Sequence, residues 1–226
     1  KPPKLGNPGV FSRIVKPRST RLFFSKRDAK AFFDQLKLPA VLRPYFGRPR
    51  VGIAGLCDAL QMTVREVSQF VDDEGPQPLR RAEWVTPVSN VWPMGFGWSS
   101  VVAQHTLLAV CRDAGLSDSQ LLALDSLHPD DQTEMATVAT DDVLFIHQSA
   151  DTGSERLSAF DAALRAHGIE RNCKKDFNLA ESMFGLGCNI SNDPPWVEPD
   201  TGKLVWLLFA WIGLAQSPRC TPRALE

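Results

Sequence analysis

The stretch VATDDVLFIH, residues 138–147, decides how the rest of the chain is read. An adjacent acid pair, Asp141 and Asp142, separates two apolar runs, Val138-Ala139 before it and Val143-Leu144-Phe145-Ile146 after it. β-Branched and aromatic residues on both sides of a short polar centre predict strand, turn, strand. Two carboxylates at a hairpin tip repel each other and are stable there only when solvated or when a cation lies between them. Asp also favours turns, so by itself the pair reads as an acidic turn. Its surroundings in the chain give it a second reading.

The 226 residues suffice for one large domain or a domain and a half. With 43% hydrophobic and 23% charged residues, the composition is that of a soluble globular protein. The net charge is only −1, but it is unevenly spread: residues 1–50 hold 13 Lys and Arg against two acids, Asp28 and Asp34, whereas residues 113–155 are acidic. A basic arm beside an acidic centre suits a polyanion whose phosphates also meet bound cations; the plainer reading is a solvated surface. Five cysteines without CxxC spacing indicate neither a zinc site nor a disulfide framework. A reducing, intracellular compartment, cytoplasm or nucleus, is expected. No signal peptide is read, and the longest apolar run, 204–215, is too short to cross a bilayer. The chain is expected to be a piece of a longer polypeptide.

Taken in order, residues 1–20 form an irregular basic arm rich in Pro and Gly. Residues 21–25 predict a strand. Residues 26–38 predict a helix, with Ala29, Phe32, Phe33 and Leu36 at helical spacing. Asp28 then falls at a strand-to-helix transition, where an N-cap is the local alternative. Residues 84–91 predict another strand and 92–100 a loop broken by Pro and Gly. Helices are expected over 101–114, stopped by Gly115, and over 154–167, stopped by Gly168. Residues 184–190 predict a glycine-containing strand, 194–199 a linker, and 204–215 a further helical element.

In this order the pieces resemble the palm of a reverse transcriptase over about residues 21–190. RDAKAFFDQLKLP is similar to the first palm motif, with Asp28 as metal ligand and Phe33 as the aromatic five residues later. WPMGFGWSSVVAQ lies along the LPQG-x-x-x-SP-x-x-x-Q motif, matched at Pro93, Gly95, Ser99 and Gln104. Thr140-Asp141-Asp142 resembles the x-Asp-Asp motif. GIERNCKK resembles the later Gly-x-x-x-Asn-x-x-Lys turn at Gly168, Asn172 and Lys175. GLGCNI resembles the primer-grip strand at Leu186 and Gly187. The chain departs from the pattern at Ala139, Met94 and Ser100.

The resemblance implies an α+β fold, a right-hand polymerase palm: a small antiparallel sheet with helices packed on one face, partial fingers and the start of a thumb. Residues 1–190 would form the palm, with a fingers-like insertion at about 43–90, and 191–226 the connection and thumb. Asp28, Asp141 and Asp142 would be catalytic and hold two Mg²⁺ ions, with Mn²⁺ as the alternative. Phe33, Met94, Gly95 and Lys175 would contact the nucleotide, and Leu186, Gly187 and Gln104 the primer and template. The implied function is RNA-templated DNA synthesis within a retrotransposon polyprotein, with an RNA template, a DNA primer and dNTPs as partners and no membrane.

That chemistry needs these residue types. Nucleotidyl transfer is an in-line displacement at phosphorus, and two Mg²⁺ ions stabilise its attacking and leaving oxygens. Mg²⁺ takes hard oxygen ligands. Asp28 and Asp141 would bridge both ions, with Asp142 a weaker ligand or an outer partner. Phe33 would exclude a 2′-hydroxyl while Phe32 packs in the core. Lys175 would approach the triphosphate as a mobile cation or general acid. Lys26, Arg27 and Lys30 would hold phosphates or line the surface. One sheet face would be buried and the catalytic face wet. Two other readings stay open: an RNA-dependent RNA polymerase, from the Asp28/Asp34 spacing, and a non-catalytic RNA-binding palm or decayed element, from Ala139 and Met94.

Overall fold

The computed structural model describes residues 4–14, 20–71, 79–124 and 134–216. In chain order the elements are β1 (Phe23–Asp28), α1 (Phe32–Gln35), β2 (Val51–Gly52), α2 (Ile53–Leu60), α3 (Val64–Val67), β3 (Trp84–Val85), α4 (Gly97–Asp113), β4 (Glu134–Ala139), β5 (Asp142–His147), α5 (Ala150–Ala166), β6 (Phe177–Ala180), β7 (Ser182–Gly185), β8 (Cys188–Asn192), β9 (Pro195–Pro199) and α6 (Thr201–Gln216), with short 3₁₀ turns between some of them. The chain divides into two compact units, one of residues 1–32 and 97–226, the other of residues 33–96.

The larger unit is built on a four-stranded antiparallel sheet of order β4-β5-β1-β6. Residues 134–147 form the β4–β5 hairpin, with β5 inside the sheet and β4 at its edge. Ala139 and Asp142 pair, so the loop is only Thr140-Asp141, with Thr140 at φ 60°. Side chains alternate across the strands. Phe24, Met135, Leu144 and Ile146 turn to one face and pack with Val10, Phe11, Leu122, Met183, Cys188 and Ile190. On the other face α4 and α5 cover the sheet, and Phe145 meets Phe160 of α5 edge-on at 5.1 Å.

Both faces are therefore buried, contrary to the expected wet face. The second covering layer comes from residues 8–13 and from the β7–β8 hairpin. Lys26, Asp28 and Asp142 lie on that face at the hairpin end, and Thr137 in mid-strand donates its hydroxyl to the Leu122 carbonyl.

A buried polar chain crosses the sheet. Glu134 on β4 bonds His147 Nδ1 on β5, His147 Nε2 lies 3.1 Å from Ser25 Oγ on β1, and Ser25 Oγ accepts the Leu179 N–H of β6. Thr152 of α5 donates to the other Glu134 oxygen at 2.6 Å. Ser25 and His147 are fully buried, so these groups satisfy one another and tie four strands to a helix.

Several boundaries differ from expectation. The strand expected at 21–25 runs on through Asp28 because pairing with β5 continues to its end, and the helix expected over 26–38 shrinks to the single turn α1. Residues 184–190 are a hairpin, folded at Leu186 (φ 52°) and Gly187 (φ 77°). Two positive φ angles suit the right-handed twist of a two-residue hairpin loop. Residues 194–199 are not a linker: β9 pairs with β8 as an edge strand, where proline is tolerated. Residues 191–199 thus belong to the β7-β8-β9 sheet. α6 exposes Trp206, Phe209, Trp211 and most of its other large apolar residues. Among the described residues, no helix is long and apolar enough to cross a membrane.

The smaller unit is wider than the insertion expected at 43–90. Ile53 and Cys57 of α2 and Val67 of α3 are its buried centre, surrounded by Leu56, Met62, Val64, Leu79 and Val85. Thr63 and Glu66 form a capping box at the start of α3. Of the strand expected at 84–91, Trp84–Val85 forms a strand paired with β2, while Val88 and Val91 make isolated bridges to Gly47 and Lys37. Phe96 packs edge-on to Phe46 at 5.0 Å and stacks with Trp92 at 6.3 Å.

Gly153 marks where α5 presses on the sheet. A Cβ there would lie 2.7 Å from Leu179 Cδ2 and 2.8 Å from the His147 ring. Gly153→Ala should therefore lower stability by about 1–3 kcal/mol. Gly55→Ala, inside α2 with nothing within 4 Å of the new Cβ, should raise it by about 0.5–1 kcal/mol. Thermal unfolding followed by circular dichroism separates the two; equal shifts would reject the close packing of α5.

Candidate catalytic carboxylate centre

Register builds the site. β1 and β5 pair from Phe23↔His147 through to Asp28↔Asp142. Asp28 and Asp142 are thus cross-strand neighbours at the sheet end, and Asp141 stands in the adjoining turn. The sequence reading names Asp28 and Asp141 as the acids that would bridge the ions and Asp142 as a weaker ligand; in the ladder the cross-strand partner of Asp28 is Asp142.

Asp28 is held by its backbone. Its N–H donates to Asp176 Oδ1 at 3.1 Å, its carbonyl accepts from Asn172 N–H at 2.8 Å, and the next N–H, of Ala29, donates to the Asp141 carbonyl at 3.0 Å. The turn after α5, begun by Gly168 at φ 69°, is thereby bonded to the strand end. On the opposite face Arg27, 5% exposed, donates to Asp161 and Asn178. Arg171 also binds Asp161 and, at 2.8 Å, pairs with Asp176. Burial pushes the Asp161 carboxyl up, but hydrogen bonds from Arg27 and Arg171 outweigh it and hold it below the usual range.

Three carboxylates so placed need cations. Lys26 Nζ lies 2.8 Å from Asp142 Oδ2, and Lys175 Nζ 3.2 Å from Asp28 Oδ2. Asp142 Oδ1 is buried without a donor; the neighbouring Asp28 carboxylate is itself an acceptor. Burial, with further pressure from Asp28 and Asp141, pushes the Asp142 carboxyl up to about 6 against the pull of Lys26. The hydrogen bond to Asp28 raises Lys175.

Among the described residues, no three His, Cys, Asp or Glu side chains form a ready metal cage. The donor set nonetheless fits a hard divalent cation. It is all carboxylate oxygen, one oxygen is buried without a partner, and burial with pressure from Asp28 and Asp141 raises Asp142 despite Lys26.

The other expected site residues divide. Lys175 reaches the acids, with its side chain 60% exposed. Lys26, Arg27 and Lys30 are engaged by Asp142, Asp161 and Glu170, not held ready for phosphates. Gln104 is fully buried and does not present its amide to a primer. Nε2 donates to the carbonyls of Val138 (3.0 Å) and Lys4 (2.9 Å), and Oε1 accepts the Thr140 N–H (2.9 Å). It clamps the acidic hairpin. Leu186 and Gly187 form the β7–β8 turn. Phe32 is buried, Phe33 partly exposed. Met94 is 80% exposed and Gly95 has φ 89°, a conformation that glycine adopts freely; both, like Phe33, belong to the smaller unit.

Sequence reasoning passed over the Gln104 clamp, the Lys26 pair and the His147 chain. Strand alternation held a signal for the last two: Lys26 shares a face with Asp28, and His147 follows Val143 and Phe145 onto a core face.

The chain superposes on a foamy viral protease–reverse transcriptase in complex with an RNA/DNA hybrid at TM-score 0.51, with 14% identity over 83% of this chain and 18% of that one. On the foamy viral protease–reverse transcriptase dRH in complex with double-stranded DNA the TM-score is 0.55, with 13% identity over 98% of this chain and 28% of that one. Its fold is reverse-transcriptase-like. An apo telomerase from Candida tropicalis gives 0.46, with 16% identity over 80% and 36%. The chain spans less than a third of the foamy viral chains. No protein-family model matches it, and no curated protein matches its sequence. On this reverse-transcriptase-like fold, the acids from two distant segments meet at one sheet end.

The raised Asp142 carboxyl has a measurable consequence. Protonation relieves the folded state, so the gain is full below the ordinary value of 3.8 and is lost as pH rises through about 6. Without divalent ions, Asp142→Asn should be more stable than wild type at pH 7.5, by about 1–2 kcal/mol after allowance for solvent screening. The difference should vanish near pH 4. Urea titrations at the two pH values check it; a pH-independent difference would show that Asp142 is not strained by its neighbours.

Proposed function

We propose that the chain is the palm-centred part of an RNA-directed DNA polymerase that works by two-metal nucleotidyl transfer, as in a retroelement polyprotein. One observation carries the reading: Asp28 and Asp142 are cross-strand partners with Asp141 in the adjoining turn. The fold likeness to the foamy viral enzymes, solved with an RNA/DNA hybrid and with double-stranded DNA, supports nucleic acid as partner.

Asp28 and Asp141 would hold Mg²⁺, with Asp142 beside them. Ions held there would supply charge stabilisation to the attacking and leaving oxygens. The protein contributes positioning. The Asn172 and Asp176 bonds fix Asp28, and the Gln104 clamp fixes the hairpin backbone next to Asp141. Lys175, exposed and protonated, is available to neutralise a triphosphate or donate a proton to its leaving group. The basic residues of 1–50 other than Lys26, Arg27 and Lys30 suit a phosphate backbone.

A second reading, a metal-free RNA-binding scaffold, is favoured by the two lysines already paired with Asp142 and Asp28. Primer extension on an RNA template with Mg²⁺ decides between them. Asp141→Ala and Asp28→Ala should each abolish extension while circular dichroism stays unchanged. Undiminished extension by either variant would reject the site, and RNA binding without extension or Mn²⁺ binding would select the scaffold.

Sugar choice is tied to Phe33. Phe33→Val should admit ribonucleotides while largely sparing deoxynucleotides. Phe32→Ala should cost stability instead, about 3–5 kcal/mol, because that ring is buried. Ribonucleotide exclusion that survives in Phe33→Val would remove Phe33 from the nucleotide site.

A further inference from the structure

Among the described residues, Lys26 is the cation built into the carboxylate centre from within the sheet. It stands two residues before Asp28 on β1, so both side chains project from the same face. Leu144 is its direct partner on β5, which places Asp142 on the diagonal, within reach of a long side chain. The ammonium takes Asp142 Oδ2 at 2.8 Å, and the Lys26 side chain is 16% exposed against 60% for Lys175 on Asp28. Lys175 can swing into water; Lys26 is enclosed beside the apolar layer of Phe24, Leu144 and Ile146.

These placements set a charge balance. Three carboxylates (−3) and two ammonium groups (+2) leave −1 at the centre, and a divalent ion brings it to +1. Departure of Lys175 lowers the balance by one unit, whereas Lys26 cannot leave without burying Asp142 unpaired. Lys26 thus opposes every divalent ion that approaches Asp28 and Asp141, and it holds one oxygen of Asp142 away from such an ion.

We propose that Lys26 is a positioning residue that keeps Asp142 as its ion-pair partner and sets the divalent-cation affinity of the centre, leaving Asp28 and Asp141 as the principal ligands. This rests on the metal-dependent reading above, and the test separates the two. Mn²⁺ binding to the purified protein, without nucleotide or primer, is measured by electron paramagnetic resonance and calorimetry. Lys26→Gln and Lys26→Met remove the opposing charge and should bind Mn²⁺ more tightly, on the order of tenfold. Lys26→Arg keeps the charge and should stay near wild type. Asp28→Asn and Asp141→Asn should lose the site.

Tighter binding in both neutral variants, with Lys26→Arg unchanged, bears the proposal out; far-UV circular dichroism confirms that they are folded. Equal or weaker binding in both neutral variants, with the site still lost in Asp28→Asn, overturns the role of Lys26 and leaves the metal reading standing. Binding that survives in both Asp28→Asn and Asp141→Asn, or no binding in any variant, overturns the metal reading and this proposal with it.

Discussion

The antiparallel pairing of β1 with β5 is the constraint on which the larger unit depends. Its register is unbroken from Phe23↔His147 to Asp28↔Asp142, and a one-residue slip would reverse every side chain. Phe24 would leave the apolar layer, Ser25 would lose His147, and Asp28 would turn away from the acidic hairpin. The same ladder thus sets the core on both faces and brings acids from distant parts of the chain together.

Two buried polar systems guard that register. The Glu134–His147–Ser25 chain links β4, β5, β1 and β6 and reaches α5 through Thr152. Beyond it, Arg27, Asp161, Arg171 and Asp176 tie β1 to α5 and to the turn that holds Asp28. Buried polar groups of this kind add little net stability. They penalise misregister heavily, because each group left unpaired in the interior costs about 1–3 kcal/mol. Gln104 works alike, with both ends of its amide bonded to the backbone around the acidic hairpin.

At the sheet end this order meets charge that is only partly neutralised. Asp142 is raised by burial and by its acidic neighbours, one of its oxygens has no donor, and two lysines compensate in part. Strain of this kind is common where a protein prepares a site for a ligand. Both the polymerase and the scaffold readings start from this centre, and they differ in which cation completes it.

The hairpin at 138–147 and the helices stopped by Gly115 and Gly168 were legible in the sequence, because periodicity and turn chemistry act over a few residues. Phe32 could be assigned to the core, and the order of motifs grouped the three acids that the structure places at one sheet end. Other features were decided only in three dimensions. A linker by composition became β9 because β8 offered it an edge, and a helical pattern from Lys26 stayed extended because β5 completed its ladder. That Asp142 rather than Asp141 faces Asp28, that Lys26 holds it, and that Gln104 turns inward follow from register and burial. Those are set by pairings between residues far apart in the chain, for which local sequence carries no signal.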